Sequence, residues 1–160
     1  MTSSFEVANF IIEQLESSQE TLSGMALQRY IFLLDGAHIM RHGKKLITED
    51  FTIGQYGPLV KVLNEEIPER GGFIQLTDNR RITKLEVLPD FHITTPTLLN
   101  GFEYRQELID DLNHIVQEAS PLELIEAFSN LDLKKEYGIM FESDIRNFFA
   151  KNPAFQIWNA

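Results

Sequence analysis

A chain of 160 residues, 43% of them apolar, is long enough to bury one core without disulfides or metals, so a single domain over 1–160 is expected. It contains no cysteine, which excludes disulfide frameworks, thiolate zinc sites and cysteine nucleophiles and fits a reducing, cytoplasmic setting. With 24 acidic and 14 basic residues the formal charge is −10, a balance that opposes direct nucleic-acid binding, where affinity comes mostly from neutralising phosphates.

The first residues, Met1 to Glu6, show no basic segment leading into an apolar run, so no signal peptide is expected. No stretch reaches about 18 consecutive apolar residues, so no membrane span is expected either. Ser3 and Glu6 have the spacing of a capping box. Phe5, Ala8, Ile11, Ile12 and Leu15 follow on one face, which predicts a helix over 4–16. The polar link from Ser17 to Thr21 ends it. Ser23 is the expected N-cap of a second helix that finishes near His42, with Gly43 suited to the left-handed C′ position. From Leu27 to His38 this helix is apolar almost all the way round, the pattern of a central, buried helix.

Leu46-Ile47 and Phe51–Ile53 are short enough for edge strands or extended loop. The turn Gln55-Tyr56-Gly57-Pro58 reads as the restart of a helix: Pro58 sets φ for the first helical residue, and Gly57 has no side chain to clash with it. Leu59, Val62 and Leu63 then share a face, until Pro68 and Gly71-Gly72 stop the helix. Phe73–Leu76, a turn at Thr77–Arg80, and Arg81–Val87 predict a β-hairpin closed off by Pro89-Asp90. The alternation of Ile82, Lys84 and Glu86 with Thr83, Leu85 and Val87 leaves its register open, and 91–95 adds extended chain.

Helical periodicity returns with Tyr104, Leu108, Leu112, Ile115 and Val116. Ser120-Pro121-Leu122-Glu123 combines an N-cap, a proline at the first helical position and a capping-box glutamate, carried on by Leu124, Ile125 and Phe128. Gly138 suits a C-cap after 131–137. A last helix holds Phe141, Ile145, Phe148 and Phe149 and stops at Asn152-Pro153, and the apolar tail Phe155–Trp158 is expected to pack on the domain or on a partner. The fold class is therefore α+β and predominantly helical: about six helices around a central buried one, with a small antiparallel hairpin or sheet mid-chain.

Catalytic signatures are sparse. Gln28, Asp35, His38 and His42 fall within about 80° of arc on the second helix at 100° per residue. Asp35, His38 and His42 offer a carboxylate and two imidazoles to a divalent metal, as a metal-dependent hydrolase requires. The residue after His38 is Ile39, where zinc proteases place their glutamate base. The alternative is a polar stripe with His38 bonded to nearby backbone and His42 in solvent, and on that reading neither a metal nor another cofactor is expected. Lys44-Lys45 reads as a solvated loop. Seven acidic residues and one basic residue lie between Glu103 and Glu126. They form either a solvated helix face or a docking surface for a basic partner, the latter including an acidic mimic of nucleic acid.

Several of these segments together resemble the Panacea domain family, which includes SocA-type antitoxins and GepA-type phage-associated proteins. The likeness is best over 7–60. Val7-Ala8-Asn9-Phe10 resembles the family's opening helix. Ser23, Met25, Leu27, Gln28, Arg29, Phe32, Gly36 and His38 follow its motif helix in register. Gly43-Lys44, Leu46 and Tyr56-Gly57-Pro58 follow its next segments. Ala37 and Gly54 depart from the family, which commonly has tryptophan at both places. The resemblance implies a non-catalytic cytoplasmic binding module that neutralises a cognate protein toxin by direct contact, and in the SocA type delivers it to a protease. It assigns the motif-bearing, partner-binding surface to Gln28, Asp35, His38, Tyr56, Gly57 and Pro58.

Overall fold

Helix α1 (Ser4–Leu15) starts with the expected capping box: the Ser3 hydroxyl accepts from the Glu6 amide, and the Glu6 carboxylate accepts from the Ser3 amide. Its inward face buries Phe5, Ala8, Ile11, Ile12 and Leu15. Helix α2 (Gly24–His42) is capped by the Ser23 side chain and ends at Gly43, whose φ of 73° is the left-handed conformation that glycine adopts without cost. Every residue from Leu27 to Ile39 is buried. The computed structural model from which these elements are taken describes residues 1–54, 57–67, 72–118, 126 and 138–157.

An all-round buried helix needs neighbours on every side. α2 touches α1, α4 (Arg105–Glu118), α5 (Glu142–Lys151) and the short strands β1 (Thr21–Ser23) and β3 (Gly57–Leu59). Phe32 lies fully buried in the core. Its ring meets Phe51 and Phe148 edge-on at 5.2 and 5.3 Å and stacks on Phe149 at 5.7 Å. Each such buried ring contributes on the order of 1.5–3 kcal/mol. Phe155, in the 3₁₀ turn Pro153–Phe155, also packs inward on Phe148, so the aromatics from Phe148 onward dock on the domain as far as Ile157, whereas Phe141, the N-cap before α5, is 58% exposed. Trp158 lies outside the described residues.

The fold class is α+β, with five α-helices and three small antiparallel sheets among the described residues. The expected helix starting at Ser120 and the segment 131–137 lie outside them.

Two expectations about the β segments are corrected. Pro58 does not open a helix. It sits in β3, opposite Ile53 of β2 (Phe51–Gly54), and the helix α3 (Lys61–Asn64) begins three residues later. Proline is tolerated there because β3 is the edge strand of a β3-β2-β7 sheet, β7 being Ile139–Met140. Two polar side chains of α2 hold the segment extended. The Gln28 amide donates to the Val60 carbonyl at 3.1 Å and accepts from the Val60 N–H at 2.9 Å, while Arg29 Nη1 donates to the Pro58 carbonyl at 2.7 Å. Val60, its N–H held by Gln28, is the N-cap of α3, and its carbonyl also accepts the first helical hydrogen bond, from the Asn64 amide at 3.0 Å. Val62 consequently faces out and Leu63 in, not both in.

The hairpin also pairs differently. β4 (Phe73–Gln75) runs antiparallel to β1, while β5 (Lys84–Glu86) pairs with β6 (His92–Thr94). Asn9 of α1 explains the switch. Its amide donates to Ile82 O at 2.9 Å and to Pro96 O at 2.7 Å, and accepts from Ile82 N at 2.7 Å. That removes Ile82 from any ladder with β4. One device, a side-chain amide acting as a strand neighbour, fastens both loops to helices.

Candidate functional site

The polar positions of α2 divide into two groups once the neighbouring segments are in place. Asp35 is fully buried and turned toward the loop after the helix: Oδ1 accepts from the Leu46 and Ile47 amides at 2.7 and 3.2 Å, and Oδ2 from Lys45 Nζ at 3.0 Å. Burial pushes its carboxyl above the usual aspartate value, while Lys45 and the two amides pull it back. Lys45 is therefore an ion-pair partner and not a solvated loop residue. The structure does not bring Asp35 together with the two imidazoles.

His38 and His42 instead meet α4. One helical turn apart, their rings lie 4.6 Å from each other, and the Tyr104 ring packs against both at 4.7 and 4.4 Å. Glu107 completes the group. His42 Nε2 lies 3.0 and 3.1 Å from its two carboxylate oxygens, and His38 Nδ1 lies 4.0 Å from Oε1. His42, on the solvent side as expected, is thus also paired across the helix interface. His38 does not bond to nearby backbone: its Nδ1 is buried with no hydrogen-bond partner.

Arg41 borders this cluster. Its guanidinium forks onto Asp111 at 2.6 and 2.9 Å and reaches Glu107 Oε1 at 3.2 Å. The Asp111 bonds, with the nearby negative charges, hold Arg41 firmly protonated. His38 goes the other way. Burial first, then His42 and the cations Lys44 and Arg41, lower its pKa to about 4 despite Glu107. Its imidazole is neutral at pH 7 and keeps a nitrogen lone pair.

Among the sequence-derived site residues, Gln28, Asp35, His38, Gly57 and Pro58 are all buried, the first two making the structural bonds described above. Tyr56 lies outside the described residues. Glu107 and Asp111 escaped the sequence reading because they were grouped with a solvated acidic face. Their spacing held a signal. On α4 they border the arc of Tyr104, Leu108, Leu112 and Ile115, Asp111 by about 20° and Glu107 by about 60° at 100° per residue, a flank that turns toward a neighbour. At Gly54, one of the positions where the Panacea family commonly has tryptophan, a Cβ would come within 2.7 Å of Leu59 Cδ2, and Ala37 is wholly buried.

Hairpin β5–β6 carries the other notable surface. Leu85 lies directly opposite Ile93, so their side chains project from the same face. The two-residue period puts Val87 and Phe91 on that face as well. Leu85, Val87, Phe91 and Ile93 are 53%, 55%, 77% and 71% exposed. The polar residues Lys84, Glu86, His92 and Thr94 alternate onto the other face. This reverses the apolar-in, polar-out rule for a sheet packed on a core.

No described helix is long and apolar enough to cross a membrane. Comparisons with known protein families, curated proteins and solved structures find no match.

Proposed function

We propose that this chain is a non-catalytic protein-binding module, an antitoxin-like protein that neutralises a cognate toxin by direct contact, as its resemblance to the Panacea family implies. Delivery of that toxin to a protease is the further step the resemblance suggests. One observation carries the reading: four large apolar side chains share the exposed face of hairpin β5–β6. Contiguous exposed apolar patches on small proteins mark interaction surfaces, and one on a two-stranded ribbon also offers unpaired backbone edges. The net charge of −10 favours a basic partner.

In this reading the motif residues act through the framework. Gln28 and Asp35 hold the segments 57–60 and 45–47 in place, Gly57 and Pro58 form the edge strand, and His38 contributes to the α2–α4 contact. Tyr56 belongs to the same proposed surface by resemblance. The hairpin supplies the apolar contact itself, centred on Phe91 and Ile93, since exposed aromatic and aliphatic anchors dominate binding energy when a partner covers them.

Co-expression with the toxic product of an adjacent reading frame tests the reading. Growth rescue and a complex that survives purification are expected. The double variant Leu85→Glu/Ile93→Glu should weaken that complex more than tenfold while its melting temperature stays at the wild-type value. Absence of rescue and of any complex counts against the proposal, as does undiminished binding by the double variant.

A further inference from the structure

The His38–His42–Glu107 cluster joins α2 to α4, and its bonds leave one buried nitrogen unpartnered. His38 is 3% exposed, yet its Nδ1 has no hydrogen-bond partner and is aimed toward Glu107. A buried imidazole nitrogen left unbonded is destabilising, unless a ligand completes it. One helical turn beyond, His42 presents Nε2 to the same carboxylate, and Glu107 comes from a different helix. One ligand atom from each of the three residues lies within 4.8 Å of the others.

We propose that His38 Nδ1, His42 Nε2 and a carboxylate oxygen of Glu107 form a binding site for a divalent transition-metal ion of the zinc class. Two imidazoles and one carboxylate match zinc or a neighbouring first-row ion, whereas calcium and magnesium call for oxygen donors throughout. Around a tetrahedral ion with bonds of about 2.0–2.2 Å, ligand atoms stand about 3.3–3.5 Å apart. The present separations of 3.0 Å for His42 Nε2–Glu107 Oε1 and 4.0 Å for His38 Nδ1–Glu107 Oε1 bracket that value. The third pair, His38 and His42, lies within 4.8 Å, so the His42 and Glu107 side chains rotate to close the set on the ion.

The surroundings suit the ion. A neutral His38 offers its lone pair at pH 7 without first losing a proton. Arg41 is anchored on Asp111 and donates to Glu107 Oε1, so it orients the carboxylate as an outer hydrogen-bond donor while that oxygen keeps a second lone pair for the ion. The Tyr104 ring covers one flank of both imidazoles. His42 and Glu107 are 26% and 25% exposed, so ions enter from that side, and the fourth position is open to water or to a partner's side chain. Bound there, the ion cross-links α2 to α4.

Tag-free chain stripped with a chelator and titrated with Zn²⁺ alone tests the site by calorimetry and by thermal unfolding. One ion per chain and a raised melting temperature are expected, with Co²⁺ giving the intense visible absorption of four-coordinate geometry. The partly exposed variants His42→Ala and Glu107→Gln should weaken Zn²⁺ binding at least tenfold and abolish the thermal shift. Their metal-free melting curves establish that both fold. No Zn²⁺ binding by the wild type, equal binding by the variants, or only the weak spectrum of six-coordinate Co²⁺ would overturn the proposal. Toxin neutralisation does not enter any of these readouts.

Discussion

Gly36 and Phe149 fit together because residue 36 has no side chain: a Cβ there would overlap the Cε2 and Cζ atoms of the Phe149 ring. The ring has little room to retreat, since it stacks on Phe32 and meets Phe148 edge-on at 5.0 Å. Gly36→Ala gains helix propensity, by about 1 kcal/mol, but overpacks a dense aromatic cluster. A net loss of about 1–3 kcal/mol is expected in urea unfolding. Combining it with Phe149→Leu should cost less than the sum of the two single changes, because the smaller side chain relieves the overlap.

Gln28 is predicted to matter for stability more than a lone buried amide usually does. Gln28→Leu removes both bonds to Val60 and leaves its buried N–H unsatisfied, while the carbonyl keeps the Asn64 amide at 3.0 Å. An unsatisfied buried N–H costs about 1–3 kcal/mol. Denaturant unfolding measures the loss. Hydrogen exchange at Val60 should accelerate more than exchange in α1, since the segment 57–60 is released first.

Asp35 ties the loop 45–47 to α2 through three acceptor contacts. Asp35→Ala breaks a buried ion pair and leaves two amides unbonded, with an expected cost of about 3–5 kcal/mol. Asp35→Asn keeps an acceptor for Leu46 and Ile47, and Lys45, which is 20% exposed, can turn to water. Its cost should be about 1–3 kcal/mol, the range for a hydrogen bond involving a charged group. Chemical denaturation of the two variants checks the order.

Acidification of the metal-free protein should expose His38. The folded pKa is about 4 against an ordinary value of 6.5, so between those values the unfolded chain binds a proton that the native state does not. Stability contributed by keeping this ring neutral is complete above about pH 7 and is lost as the pH falls from 6.5 toward 4. At about 1.4 kcal/mol per pH unit of difference, the loss approaches 3 kcal/mol. The titratable and charged groups facing the ring are His42, Arg41 and Lys44 on one side and Glu107 on the other. Comparison with His38→Gln over pH 4–7 isolates the effect: the variant's stability curve should be flatter.

Helices α1 and α2 were legible because their signals are local. Ser3 with Glu6, Ser23, Gly43 and the apolar periods lie within a few residues of what they control, and the structure places the caps where the sequence predicts them. Pro58 and Ile82 were misread for the opposite reason. Their local patterns fit a helix start and a hairpin strand, but side chains 29 to 73 residues away take their backbone bonds. The same distance hid Glu107, whose partners lie 65 or more residues back in the chain.

The amino-acid sequence by itself determined an acidic, cysteine-free α+β chain, the ends of its two first helices, and a second helix apolar enough to require neighbours on all sides. These follow from short-range hydrogen bonding and hydrophobic periodicity, which operate within a few turns of the chain. Only the tertiary structure decided that Asp35 faces a lysine and not the histidines, that Glu107 joins His38 and His42, and that the β5–β6 hairpin turns its apolar face outward. Each of these depends on which distant group reaches a polar atom or covers an apolar one, and packing in three dimensions makes that choice.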